Sequence, residues 1–189
     1  MDTPRANRLH GSIRGIPWAS RATVLWCAVF GGFHLYWSLG GSAGFAEFST
    51  PPNKILAFTR DPLYMAITWG VVLACALGIA AALAPFQMWS RRIPRWLLLT
   101  PLWIACGLLL VRGFGNPVQS ALIVGGLISF DALAGPEAQA WQQWMRIDAI
   151  LFSPWFILGG LAFGATARSA LRQGEKGQPS VAAGRAQSQ

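Results

Sequence analysis

The chain contains two histidines. His10 lies in a polar leader, and His34 lies inside an apolar run. Imidazole exchanges its proton near neutral pH, so His34 is the residue best suited to acid–base work. Asp148 and Arg112 are ionisable residues at the ends of two other apolar runs. A histidine oriented by a carboxylate is a general acid–base pair, and a nearby guanidinium would clamp an anionic group. Tyr36, Trp37, Tyr64 and Trp69 add ring surface with a polar edge. His34 and Asp148 are therefore the candidate catalytic residues. Tyr36, Trp37, Tyr64, Trp69 and Arg112 are the candidate ligand-binding residues.

A plainer reading stands beside this one. A neutral histidine can be a hydrogen-bonded packing residue between helices. Arg112 and Asp148 can form a structural ion pair near helix ends, where long side chains reach the headgroups. Other chemistries are missing. Two histidines, one in the leader, cannot build a multi-histidine metal site. Cys27, Cys75 and Cys106 fall in separate runs without C-x-x-C and read as small core residues. No phosphate-binding, dinucleotide-binding or nucleophile-elbow motif is present, so no cofactor is implied.

The elements that must position these residues follow from composition. Only 12% of the 189 residues are charged, 53% are hydrophobic, and ten are Trp. A soluble domain carries roughly 25% charged residues, so an integral membrane protein is expected. The net charge of +8 does not indicate nucleic acid, because the arginines sit at the ends of apolar segments and in the tails. It reads as a topology signal and as attraction to anionic lipid. About 20 apolar residues cross a bilayer as a helix, and charge-free windows place spans near 22–41, 63–86, 95–114 and 148–167.

A fifth charge-free window, 113–130, is broken by Gly115-Asn116-Pro117 and Gly125-Gly126. With four spans, the inner segments hold most basic residues, among them Arg5, Arg8, Arg14, Arg21, Arg91, Arg92 and Arg168. The outer segments hold Lys54, Arg60, Arg112 and Arg146. A fifth crossing would make the two sides nearly equal, so the positive-inside rule favours four. The expected fold is all-α: a polytopic four-helix transmembrane bundle with both termini cytoplasmic, in the cell membrane. Residues 118–134 are expected as an interfacial or re-entrant helix of the outer loop. Residues 1–18 and 169–189 are expected as cytoplasmic tails flanking a membrane domain of 19–168, the second tail disordered. The leader and the first apolar run are both too long for a cleaved signal peptide.

Small residues recur every fourth position at Gly70, Ala74, Gly78 and Ala82, and again at Gly160 and Gly164. Such faces admit another backbone, from the same chain, a second copy or a membrane partner. Pro154 within the fourth span removes an N–H. It would either kink the helix or restart it with Ser153 as cap. The four spans bring the candidate residues to roughly one depth in the outer half.

His34-Leu35-Tyr36-Trp37-Ser38-Leu39-Gly40-Gly41, at the outer end of the first span, resembles the signature of a family of small bacterial four-span membrane proteins of unknown function. Asp148 followed by Ser153-Pro154 is similar to that family's last span. The resemblance covers about residues 20–168 and implies the four-helix architecture without supplying a reaction. Three functions stay open, in this order. The first is binding of a lipid, hydrophobic ligand or membrane partner. The second is a membrane enzyme acting on an amphipathic or isoprenoid-like substrate. The third is a small transporter or proton-coupled subunit.

Overall fold

Each apolar run satisfies its own backbone by winding into a helix, and no strand occurs among the described residues. The computed structural model describes residues 16–45, 49–87, 90, 92–124 and 138–176. Its elements are α1 (Trp18–Ser38), α2 (Pro51–Phe58), α3 (Pro62–Leu83) and α4 (Arg95–Val124), then α5 (Ala138–Ile147), a π-helical segment (Asp148–Phe152) and α6 (Ser153–Lys176). A short 3₁₀ turn, Ala84–Phe86, follows α3. Three stretches are long and apolar enough to cross a membrane: Pro62–Phe86, Arg95–Gln119 and Gln139–Arg172. Helix α1 has 21 residues, but Ser20, Arg21, Thr23, His34 and Ser38 dilute its hydropathy.

The outer-loop connections are held by local chemistry. Helix α1 ends in a Schellman turn: Gly41 N–H donates to the Tyr36 carbonyl and Gly40 N–H to that of Trp37. Gly40 has φ +101°, a region that an L side chain rarely occupies. Helix α2 ends the same way, with Asp61 N–H on Leu56 and Arg60 N–H on Ala57. There a non-glycine, Arg60, holds φ 50°. Asp61 then caps α3, its carboxylate accepting from Tyr64 N–H at 2.9 Å, with Pro62 in the first turn.

Three expectations are corrected. Gly115-Asn116-Pro117 does not form a turn, because α4 runs unbroken through it to Val124 with Pro101 and Pro117 inside. Residues 118–124 therefore extend the third long helix, while 125–134 lie outside the described residues. The fourth long helix runs from Ala138 to Lys176 and contains the expected span 148–167, so 169–176, expected as part of the tail, are helical. The expected tail segments 1–15 and 177–189 lie outside the described residues. Ser153 does not cap a helix restarted at Pro154. The ladder widens instead, with Ser153 N–H bonding the Asp148 carbonyl, a π-type spacing that commonly marks functional positions.

Helix α1 packs against α3 and α6, and α4 packs along α6, with a lighter α3–α4 contact. The core is formed by Trp26, Cys27, Cys75, Leu102, Cys106, Phe163 and Ala167. Trp26 stacks on Phe30 and Trp155, and its indole N–H donates to the Trp155 carbonyl at 2.9 Å. That bond satisfies a buried donor while tying α1 to α6. Farther along the same interface, the Thr23 and Thr166 hydroxyls meet at 3.0 Å.

The three cysteines are buried free thiols, each seated against a glycine. A Cβ on Gly31 would lie 2.8 Å from Cys75 Cβ, one on Gly78 would lie 3.0 Å from Cys27 Sγ, and one on Gly164 would lie 3.0 Å from Cys106 Sγ. Gly160 lies against Leu110 and the Cys106 carbonyl, so the Gly160/Gly164 face is used within the chain, between α4 and α6. The α3 stripe divides. Ala82 is buried and Gly78 meets Cys27 and Phe163, whereas Gly70 faces open space. A repeat of four advances about 400° on a helix of 3.6 residues per turn, so three steps rotate the stripe by about 120°.

Gly160→Val would push side-chain carbon into Leu110 and the Cys106 backbone carbonyl. It is expected to lower stability by about 1–3 kcal/mol. Gly70→Val, facing open space, is expected to be nearly neutral. Thermal unfolding of both variants in detergent checks the contrast.

Candidate functional site

Asp148 is fully buried, so its carboxylate needs partners. The extra residue of the π segment supplies the first. It brings Ser153, five positions on, over Asp148, and the Ser153 hydroxyl donates to Oδ2 at 2.9 Å. Helix α4 supplies the rest. Arg112 Nη2 donates to Oδ1 at 2.5 Å and Asn116 Nδ2 to Oδ2 at 2.8 Å, with a longer Arg112 Nη1 contact of 3.4 Å. Arg112 and Asn116 are four apart and share a helix face.

Gly113 permits the approach. A Cβ there would lie 2.7 Å from Ile157 and 3.0 Å from the Ser153 carbonyl. The guanidinium also lies over the Phe156 ring, 4.8 Å from its centroid, a favourable cation–π placement. Arg112 and Asp148 thus neutralise each other, and roughly a third of the Arg112 side chain remains exposed.

Beside this cluster lies a cavity of about 480 Å³ between α1, α3, the π segment and α6. That volume suits a small ligand. Its body is apolar, formed by Phe30, Val71, Phe152, Trp155 and Phe156. Its polar end gathers His34, Asn53, Tyr64, Thr68, Arg112 and Asp148. Val29, Phe33, Ile67 and Leu151 line it too and are exposed on the outer surface of the helices. The opening therefore faces sideways, between α1, α3 and the π segment. Phe45, from the loop after α1, closes part of the polar end and packs edge-on against Trp37 and Tyr64.

Five of the seven expected residues line this cavity: His34, Asp148, Trp37, Tyr64 and Arg112. Tyr36 and Trp69 do not. The Tyr36 ring packs beneath Gly41, and its hydroxyl accepts from Ala43 N–H at 3.3 Å. Trp69 is exposed on the far side of α3. The expected His34–Asp148 pairing is not made. His34 Nδ1 bonds the Phe30 carbonyl at 3.0 Å, and its ring packs on Phe30 and Trp37. Trp37 donates its indole N–H to the Ala43 carbonyl at 3.0 Å.

The His34–Gly41 motif is thus mostly a turn-builder: Tyr36, Trp37, Gly40 and Gly41 shape the loop, and His34 looks into the cavity. Among the described residues no group of His, Cys, Asp or Glu has the arrangement of a metal site. Asn116, Thr68, Phe45 and Trp155 were missed as site residues. The spacing of Asn116 from Arg112 was the available signal, obscured by the turn chemistry of its neighbours.

The sequence pattern of the family described as "Protein of unknown function (DUF3995)" matches residues 27–163. The chain belongs to the DUF3995 family. The matched region starts at Cys27 on α1 and ends at Phe163 on α6, so it encloses the cavity and every partner of Asp148. No curated protein and no solved structure matches this DUF3995 chain.

Removing one member of a buried ion pair strands the other. Asp148→Leu alone leaves Arg112 uncompensated and is expected to cost about 3 kcal/mol, the lower end for a buried pair because Arg112 is partly exposed. The double variant Arg112→Met/Asp148→Leu is expected to recover much of that loss. Chemical unfolding of both in detergent tests the coupling, and equal stabilities would remove it.

Proposed function

We propose that this DUF3995 protein is a four-span integral membrane protein that binds a hydrophobic or amphipathic lipid-like ligand in its outer half. In this reading α1 is the fourth spanning helix, both termini are cytoplasmic and the cavity lies toward the outer leaflet. The excess of basic residues in the expected inner segments supports the orientation. The observation that carries the ligand reading is the cavity itself, with an apolar body, a polar end and a sideways opening. A ligand could pass between it and the bilayer without crossing a headgroup layer.

The other readings gain less support. Acid–base catalysis by a His34–Asp148 pair calls for a hydrogen bond between them, whereas each is engaged elsewhere. Transport calls for polar residues continuing toward the other end of the helices. There the buried Thr23 and Thr166 hydroxyls bond each other, and Leu102 and Ala167 are fully buried. The outward Gly70 remains open for a second copy or a membrane partner.

Native mass spectrometry of the detergent-purified chain tests the ligand reading. Wild type is expected to carry a defined lipid-like adduct. Val71→Phe, which fills the apolar body of the cavity, is expected to lose it while unfolding at a similar temperature. Equal adducts on both proteins would overturn the assignment to this cavity.

A further inference from the structure

We infer that the ligand is an uncharged lipid whose head is a hydroxyl group, an aliphatic or prenyl alcohol or an acylglycerol, rather than a phosphate, carboxylate or ammonium lipid. The inference rests on the cavity being a ligand site and names the chemistry that the site selects. The first observation is electrostatic. The cavity's strongest charges, Arg112 and Asp148, cancel at 2.5 Å, and Asn116 and Ser153 complete the carboxylate's hydrogen bonds. An anionic head would meet Asp148 beside Arg112, and a cationic head would meet Arg112 beside Asp148. Either would lose its hydration without gaining a net counter-charge.

The second observation is the tautomer of His34. A carbonyl oxygen can only accept, so the 3.0 Å contact with Phe30 places a proton on Nδ1. In the neutral ring Nε2 is then an acceptor, and it has no hydrogen-bond partner among the described residues. A ligand group that satisfies it must donate a hydrogen. A hydroxyl does so and can accept in return from the partly exposed Arg112 N–H groups at the same end of the cavity. An ester or ketone head offers only acceptors and would leave Nε2 unsatisfied. The third observation is the sideways mouth, rimmed by Val29, Phe33, Ile67 and Leu151. It suits a hydrocarbon tail lying partly in the bilayer.

Quenching of intrinsic fluorescence reads binding directly, because Trp37, Trp144 and Trp155 line the cavity. The detergent-solubilised full chain is titrated with ω-bromododecanol, bromododecane, ω-bromododecanoate and ω-bromododecylammonium. The alcohol is expected to quench saturably at concentrations about tenfold below the other three, the scale of one buried hydrogen bond. Val71→Phe is expected to abolish that saturable phase. His34→Phe is expected to keep binding but lose the preference for the alcohol. Competition by farnesol against dodecanoylglycerol then separates a prenyl from a glyceryl source.

Equal saturable binding of all four probes, blocked by Val71→Phe, would overturn the hydroxyl assignment and leave the ligand site standing. Tighter binding of the carboxylate or the ammonium would overturn it in favour of a charged head. No saturable phase sensitive to Val71→Phe would overturn both. The order of affinities in the wild-type probe series decides the head-group assignment even if a variant fails to fold.

Discussion

A carboxylate withdrawn from water must be compensated, and much of the local architecture around Asp148 follows from that requirement. Its four donor contacts come from two helices that are distant in sequence. The π spacing brings Ser153 to it, and the continuation of α4 past Gly113 and Gly115 brings Asn116 to it beside Arg112. Gly113 lets the two backbones come close enough for short bonds. The result is a neutral, rigid wall on one side of a cavity whose remaining walls are mostly aromatic. Rigidity of this kind holds a cavity open, because collapsing it would break bonds that nothing else nearby can replace.

The packing farther along the helices follows a different logic. Apolar packing alone gives little direction to helices in a lipid-like environment, so close backbone approach and a few polar contacts determine their arrangement. Three cysteine–glycine seats, the Trp26–Trp155 bond and the paired threonines provide both. A cysteine side chain is well matched to a glycine notch, being small, apolar and polarizable.

The long helices could be read from the sequence because charge-free apolar runs have few other ways to satisfy their backbones. The shared level of His34, Trp37, Tyr64, Arg112 and Asp148 along the helices was equally legible, since position along a helix follows from counting. Azimuth was not. Trp69 follows Thr68 by one residue and so points about 100° away from the cavity that Thr68 lines. Tyr36 and Trp37 read as ligand contacts, yet both hydrogen-bond the loop at Ala43, and only Trp37 also lines the cavity. Gly115-Asn116-Pro117 carries the chemistry of a turn, but Asn116 spends its side chain on Asp148 and the helix continues. Local preference is a weak prior where a tertiary contact competes with it. The role of Ser153 could not be read from α-helical spacing, because a five-residue contact belongs to a π turn.

That π turn also works as a phase shifter. Each residue of an α-helix advances its azimuth by about 100°, and the widened turn accommodates one residue more than the regular ladder would. Everything before it on the long helix, including Trp141 and Trp144 of α5, is therefore rotated relative to α6 by about one residue's worth. Wound as an ordinary α-helix, the same residues would turn Trp144 away from the cavity and place Ser153 about 140° from Asp148. The register of one helix thus sets the composition of the site as firmly as the identity of any side chain within it.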